Sequence, residues 1–136
     1  MENSLNRSET KILVIEDHGA LREVLVQVLE LNYSGVMSAA MGAQGLKMAQ
    51  KEAPDVIILD VMMPVMDGFE TCRRLRGIPG LAEIGIIMLT ALSDVDIVQK
   101  AGEAGADLCL SKPCSMKDLE AAIEKLLNRS ANKSAA

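Results

Sequence analysis

Glu16 and Asp17 directly follow the apolar run Ile12-Leu13-Val14-Ile15, and Asp60 directly follows Val56-Ile57-Ile58-Leu59. A further apolar run, residues 84–89, ends on Thr90, and Leu110-Ser111 leads into Lys112-Pro113. If each run is a buried strand, each of these polar side chains stands at a strand's carboxyl end. In an open parallel sheet those ends share one edge, and ligands bind there. The chain thus brings carboxylates, a hydroxyl and an ammonium to one place.

With the first and third strands as neighbours, Glu16, Asp17 and Asp60 crowd together. Two carboxylates ~5 Å apart repel by roughly 3 kcal/mol at an effective dielectric near 20. Three need a counter-charge. Lys112 supplies one positive charge and a divalent cation two more, and Mg²⁺ suits carboxylates, a backbone carbonyl, waters and a phosphate oxygen. In such a setting an aspartate can serve as a phosphoryl acceptor. Phosphoryl transfer asks chiefly for positioning and for neutralised oxygen charge. Asp60 is the candidate nucleophile, Glu16 and Asp17 are the candidate metal holders, Lys112 pairs with phosphate and Thr90 hydrogen-bonds a phosphoryl oxygen. Taken singly each residue has an ordinary explanation: an acid after a strand, a helix cap at Asp60, a β-branched strand residue at Thr90, a surface lysine at 112. Their joint placement carries the reading.

The elements that must position them alternate five times. Strands are expected at 11–16, 34–39, 55–60, 84–90 and 107–111. Most are continuous apolar runs, as in strands covered on both faces. Ser34-Gly35-Val36-Met37-Ser38 is only half apolar and reads as an edge. Between the strands runs the helical period: Leu21, Val24, Leu25, Val28 and Leu29 in the first helix, and Met116, Leu119, Ile123, Leu126 and Leu127 in the last. Ala43, Leu46 and Ala49 mark a second helix, Phe69, Cys72 and Leu75 a third, and Val95, Val98 and Ala101 a fourth. His18 reads as a helix-start residue and Ser115 as an N-cap. The expected class is α/β: a (βα)₅ doubly wound, parallel five-stranded sheet in the order 2-1-3-4-5, a flavodoxin-like three-layer sandwich. Residues 1–10 read as a flexible leader, 11–128 as the domain and 129–136 as a flexible tail.

Composition narrows the function classes. Of 136 residues 49% are apolar, enough for a core, while the aromatics are only Tyr33 and Phe69. The core is therefore aliphatic, with methionine filling gaps. The net charge of -5 comes without a Lys/Arg cluster, so no nucleic-acid footprint is visible. No apolar stretch reaches the roughly 18 residues of a membrane span, and the N-terminus lacks a signal-peptide core. Cys72, Cys109 and Cys114 lack CxxC spacing and read as reduced packing thiols, which fits a cytoplasmic location.

Ile12-Leu13-Val14-Ile15-Glu16-Asp17, then Asp60-Val61-Met62-Met63-Pro64-Val65-Met66-Asp67-Gly68, then Leu89-Thr90-Ala91, and Gly105-Ala106-Asp107 leading into Lys112-Pro113 resemble the receiver domain of bacterial two-component response regulators. The likeness spans roughly residues 11–128. It implies that Asp60 accepts a phosphoryl group from a phosphohistidine on a sensor histidine kinase or a histidine phosphotransferase, and that the chain is a signalling domain catalysing only its own phosphoryl transfer and dephosphorylation. It implies that Asp17 binds Mg²⁺ directly with Asp60, that Glu16 acts mostly through water, and that the Met62 main-chain carbonyl completes the protein ligands. Thr90 resembles the switch hydroxyl, Lys112 the phosphate-pairing lysine, and Lys112-Pro113 the family's cis peptide. Asp67-Gly68 is expected to start a helix.

The chain departs from the family pattern at several points. Glu16 stands where Asp is commoner. Cys109, three residues before Lys112, stands where receivers usually carry Tyr or Phe, and Cys114 replaces the usual Phe after Lys-Pro. Both read as fillers of core space. Met62 and Leu92 occupy positions that influence attack by water on the phosphoryl group, and neither can orient a water by hydrogen bonding. Slow self-dephosphorylation is expected. Too few residues follow Leu127 for an output module, so the expectation is a single-domain type acting on a downstream protein through the fourth helix, last strand and last helix, or a part of a longer chain. No direct nucleic-acid binding and no membrane insertion are expected. A haloacid-dehalogenase-type phosphohydrolase would carry DxD after the first strand, where this chain has Glu16-Asp17-His18. A flavin binder would want a Ser/Thr/Gly-rich loop and aromatic walls, and Asp17-His18-Gly19-Ala20 offers neither. A degenerate, merely scaffolding receiver conflicts with the full set Glu16, Asp17, Asp60, Thr90 and Lys112.

Overall fold

The apolar runs do become strands, and their alternating side chains divide the core in two. The computed structural model describes the backbone at residues 9–91 and 95–135 and the side chains of those up to Arg129. The strands are β1 (Lys11–Ile15), β2 (Gly35–Ala39), β3 (Val56–Asp60), β4 (Gly85–Thr90) and β5 (Leu108–Ser111), all parallel, in the order β2-β1-β3-β4-β5. The helices are α1 (Gly19–Leu29), α2 (Gly42–Glu52), α3 (Gly68–Arg76), α4 (Val95–Ala104) and α5 (Met116–Ala135). This is the expected doubly wound sandwich. Every residue of β3 and β4 is buried, whereas β2, half-covered, is an edge, which explains its mixed composition.

Successive strand residues point to opposite faces. Leu13, Ile15, Ile57, Leu59, Ile86 and Met88 meet Ala49 of α2, Cys72 and Leu75 of α3, and Ala101 and Ala104 of α4. Ile12, Val14, Val56, Ile58, Ile87 and Leu89 meet Leu25 and Leu29 of α1 and Leu119, Ile123 and Leu126 of α5. Burying one such Ile or Leu contributes roughly 1.5–3 kcal/mol, against ~1 kcal/mol for a helix cap. Packing therefore sets the register, and caps set where helices begin. His18 Nδ1 accepts from Leu21 N at 3.2 Å, Asp67 Oδ1 from Glu70 N at 2.9 Å, and Ser115 Oγ from Asp118 N at 3.0 Å. The Asp67 cap places the start of α3 against the end of β3. Gly68 N donates to Val61 O at 2.8 Å, and a Cβ at Gly68 would collide with the Asp60 carbonyl and the Val61 backbone.

The thiols pack as expected. Cys72 and Cys109 lie against one face of the sheet and Cys114 against the other. All three are free, and burial pushes each thiol up, Cys72 to about 11. Among the described residues no helix is long and apolar enough to cross a membrane.

At the edge of the sheet opposite the strand carboxyl ends, Asp107 joins three elements. Its Oδ2 accepts from Ile86 N at 2.8 Å and from Arg76 Nη2 at 3.0 Å, and its Oδ1 from Arg129 Nη1 at 2.9 Å. Burial works to raise the Asp107 carboxyl, but the Arg129 and Ile86 hydrogen bonds and the two guanidinium charges outweigh it and hold it below the ordinary carboxylate range. Arg129 belongs to the stretch expected as a tail. The apolar stripe stops at Leu127, yet α5 continues to Ala135. Replacing Asp107 with Ala leaves the Ile86 N–H without its acceptor and takes the counter-charge from two guanidinium groups, so Asp107→Ala should lower unfolding stability by about 2–4 kcal/mol. Glu70→Ala, which removes only the exposed pairs with Arg73 and Arg74, should hardly move the urea midpoint. Equal shifts for the two variants would contradict this ranking.

Candidate functional site

The strand ends place the acids before any side chain reaches out. β1 and β3 are direct neighbours with Ile15 opposite Leu59, so the residues that follow, Glu16 and Asp60, emerge side by side. Asp60 is opposite Leu89, the residue before Thr90, and Thr90 is opposite Ser111, the residue before Lys112. Lys112 N donates to Thr90 O at 2.7 Å, which hangs the lysine from the end of β4.

Lys112 Nζ then lies 3.0 Å from Glu16 Oε1 and 2.9 Å from Asp60 Oδ1. Both carboxylates are buried, Glu16 1% and Asp60 4% exposed, while Asp17 faces solvent. One carboxylate oxygen from each of Glu16, Asp17 and Asp60 falls within 4.8 Å of the others. Asp60 Oδ1 also accepts a long hydrogen bond from Met62 N, at 3.4 Å. A cleft of about 350 Å³ opens over them, lined by Glu16, Asp17, His18, Leu21, Asp60, Met62, Ala91 and Lys112. Thr90 is buried and does not line the cleft, whereas its neighbour Ala91 and the exposed Met62 do. The Lys112-Pro113 peptide is cis. Leu92, the other residue expected to influence water attack, lies outside the described residues.

Burial pushes the Asp60 carboxyl up to about 6; the Lys112 hydrogen bond opposes this and the Glu16 charge reinforces it. Burial works to lower Lys112, but its hydrogen bonds to Asp60 and Glu16 prevail and its ammonium is held above the ordinary value. The lysine is therefore a cation fixed among carboxylates. Three carboxylate donors, all hard oxygen ligands, fit a divalent cation of the Mg²⁺ kind. A buried, desolvated carboxylate facing an open cleft can accept an electrophilic phosphoryl group, and an ammonium in contact with it can offset the charge on the phosphoryl oxygens.

Sequence reasoning passed over Arg22. Its Nη1 donates to the Glu16 carbonyl at 2.8 Å, and the Glu16 side chain in turn accepts from His18 N at 3.1 Å. The available signal was a half-buried polar residue one turn past the His18 cap, at the margin of the apolar stripe of α1 beside Leu25 and Leu29.

The chain matches the response regulator receiver domain over residues 12–124. It is similar to the probable transcriptional regulator ycf27 of Porphyridium aerugineum, 43% identical over 88% of this chain and 48% of that protein. It is also similar to the response regulator MprA of Mycobacterium tuberculosis, 40% identical over 93% of this chain and 54% of the relative. The chain spans about half the length of these curated relatives. Among solved structures, a CheY-like receiver domain protein of Methanospirillum hungatei superposes with a TM-score of 0.85 at 26% identity, covering 93% of this chain and 99% of that one. The chemotaxis protein CheY4 of Vibrio cholerae gives 0.81 at 32% identity, over 86% and 98%.

The Asp60 geometry has a thermodynamic consequence. Its folded-state value of about 6 lies above the ordinary 3.8, so the folded protein binds more protons between those values and this group's contribution to stability falls as pH rises through that window. In metal-free protein Asp60→Asn should therefore raise stability at pH 7.5 by about 1–3 kcal/mol. The gain should shrink towards pH 4, as read by denaturant melts of both proteins across the range. A gain that stays constant down to pH 4 would show that Asp60 ionisation is not its source.

Proposed function

This chain belongs to the response regulator receiver domain family, signalling proteins of two-component systems rather than classical enzymes, and we propose that its phosphoacceptor is Asp60. The observation that carries the proposal is the buried Asp60 carboxylate in contact with Lys112 at 2.9 Å, beside two further acids at an open cleft. The phosphoryl donor is a phosphohistidine of a sensor histidine kinase or a histidine phosphotransferase. An Asp60 oxygen forms its bond to phosphorus as the P–N bond breaks, and the ring, protonated on its other nitrogen, departs as neutral imidazole. Asp17 and Asp60, with the Met62 carbonyl and with Glu16 through water, would hold Mg²⁺, which supplies positive charge against the phosphoryl oxygens. Lys112 exchanges its Asp60 contact for a phosphoryl oxygen. Thr90, at the end of the adjacent strand, hydrogen-bonds another.

Drawing Thr90 and Lys112 towards the new charge shifts the ends of β4 and β5. This biases a two-state arrangement of α4, β5 and α5, the surface offered to a downstream protein in the cytoplasm. Cys109 sits on that surface where the family more often carries an aromatic ring, so the response here is one of strand and helix positions.

Incubation with Mg²⁺ and acetyl phosphate, followed by intact mass, should add one phosphoryl group to the wild type and none to Asp60→Asn or to chelated protein. A gain that survives Asp60→Asn would refute the assignment. Asp17→Asn should raise the Mg²⁺ concentration needed, because it removes a charge from a hard-cation site. Thr90→Ala should still be phosphorylated while its spectral response is blunted. Met62 offers no hydrogen bond to steer water, so the phosphoryl group should persist well beyond seconds once donor is removed; loss within seconds would contradict that role.

A further inference from the structure

Among the described residues, Glu16 is the member of the acid cluster with partners on both carboxylate oxygens: Oε1 accepts from Lys112 Nζ at 3.0 Å and Oε2 from His18 N at 3.1 Å. Its main chain is pinned as well, with N donating to Ala39 O at 3.1 Å and O accepting from Arg22 Nη1 at 2.8 Å. Its side chain is only 2% exposed, so neither arm is a loose surface contact. Lys112, by contrast, reaches the site on a long flexible stem, costly in rotamer freedom to hold in one place. Among the described residues its ammonium has two anchors, and one of them, Asp60, is the group that reacts. Once Asp60 is phosphorylated, its contact with Lys112 is weakened, and Glu16 is the anchor that remains.

We propose that Glu16 is a positioning residue for Lys112: fixed by Arg22 and by the start of α1, it holds the ammonium beside the phosphoryl group while Asp60 changes partner. This rests on Asp60 being the phosphoacceptor. It gives Glu16 a task separate from that of Asp17, whose exposed carboxylate is free to meet a cation from solvent. Removing Glu16 then acts on phosphorylation through Lys112, and the two residues form one functional unit whose losses do not add.

The test is a double-mutant cycle on the 136-residue chain, with phosphorylation by acetyl phosphate followed by intact mass at saturating Mg²⁺ and saturating donor, and Mg²⁺ affinity measured separately by calorimetry. Glu16→Ala should slow the maximal rate roughly 10–100-fold, as expected when a reacting group is left poorly placed. In a Lys112→Met background, adding Glu16→Ala should change the rate by less than about twofold, because the residue it positions is already gone. Asp17→Asn should still slow Lys112→Met protein at subsaturating Mg²⁺. Should Glu16→Ala fail to fold, Glu16→Gln, which keeps the shape and drops the charge, goes through the same cycle with the same two outcomes. An equal loss with and without Lys112, or an unchanged rate in the single variant, overturns the positioning role while leaving Asp60 as acceptor. A wild type that takes up no phosphoryl group overturns both.

Discussion

One ammonium shared between two buried carboxylates is the contact on which the site depends. Removing a carboxylate from water costs several kcal/mol unless a partner and hydrogen bonds compensate, and neither Glu16 nor Asp60 has much solvent to turn to. Lys112 answers for one of them. With Asp17 included, three carboxylates against one ammonium leave two negative charges, the charge of one magnesium ion. The site is thus built short of cation by the amount that the proposed cofactor carries, and burial pushes the Asp60 carboxyl up.

Holding charges in that state requires a rigid mount, which the parallel sheet provides. The central strands β3 and β4 are buried from end to end; Asp60 and Thr90 are their last residues, and Glu16, Asp17 and Lys112 directly follow the ends of β1 and β5. The Asp107 junction at the far edge fixes β4 and α5 relative to α3.

Most of this was legible in the linear chain because it is written in short periods. Continuous apolar runs gave β1, β3 and β4; the mixed Ser34–Ser38 stretch pointed to an edge; i, i+3, i+4 spacing marked the helices, and Asp67 and Ser115 marked two of their starts. The acids, the hydroxyl and the lysine were legible because each stands one step past such a run. What stayed hidden has no local period. Lys112 and Glu16 are 96 residues apart, and nothing near either tells that Glu16 reaches the ammonium as directly as Asp60 does. Asp107 collects Arg76 and Arg129 from 31 and 22 residues away. The continuation of α5 past Leu127 carries no apolar stripe, and the Arg129 pair with Asp107 becomes apparent only once β4 and α5 are packed.

Gly68 ties the start of α3 to the end of β3. The first turn of α3 rests on the backbone of Asp60 and Val61 so closely that no side-chain carbon fits between them, and a hydrogen bond from Gly68 to Val61 closes the seam. Helix α3 and strand β3 are therefore joined with no room for a side chain between them. Under the proposed role of Asp60, a rearrangement started by a new group on that side chain finds its freedom on the other flank, among the side chains at the ends of β4 and β5.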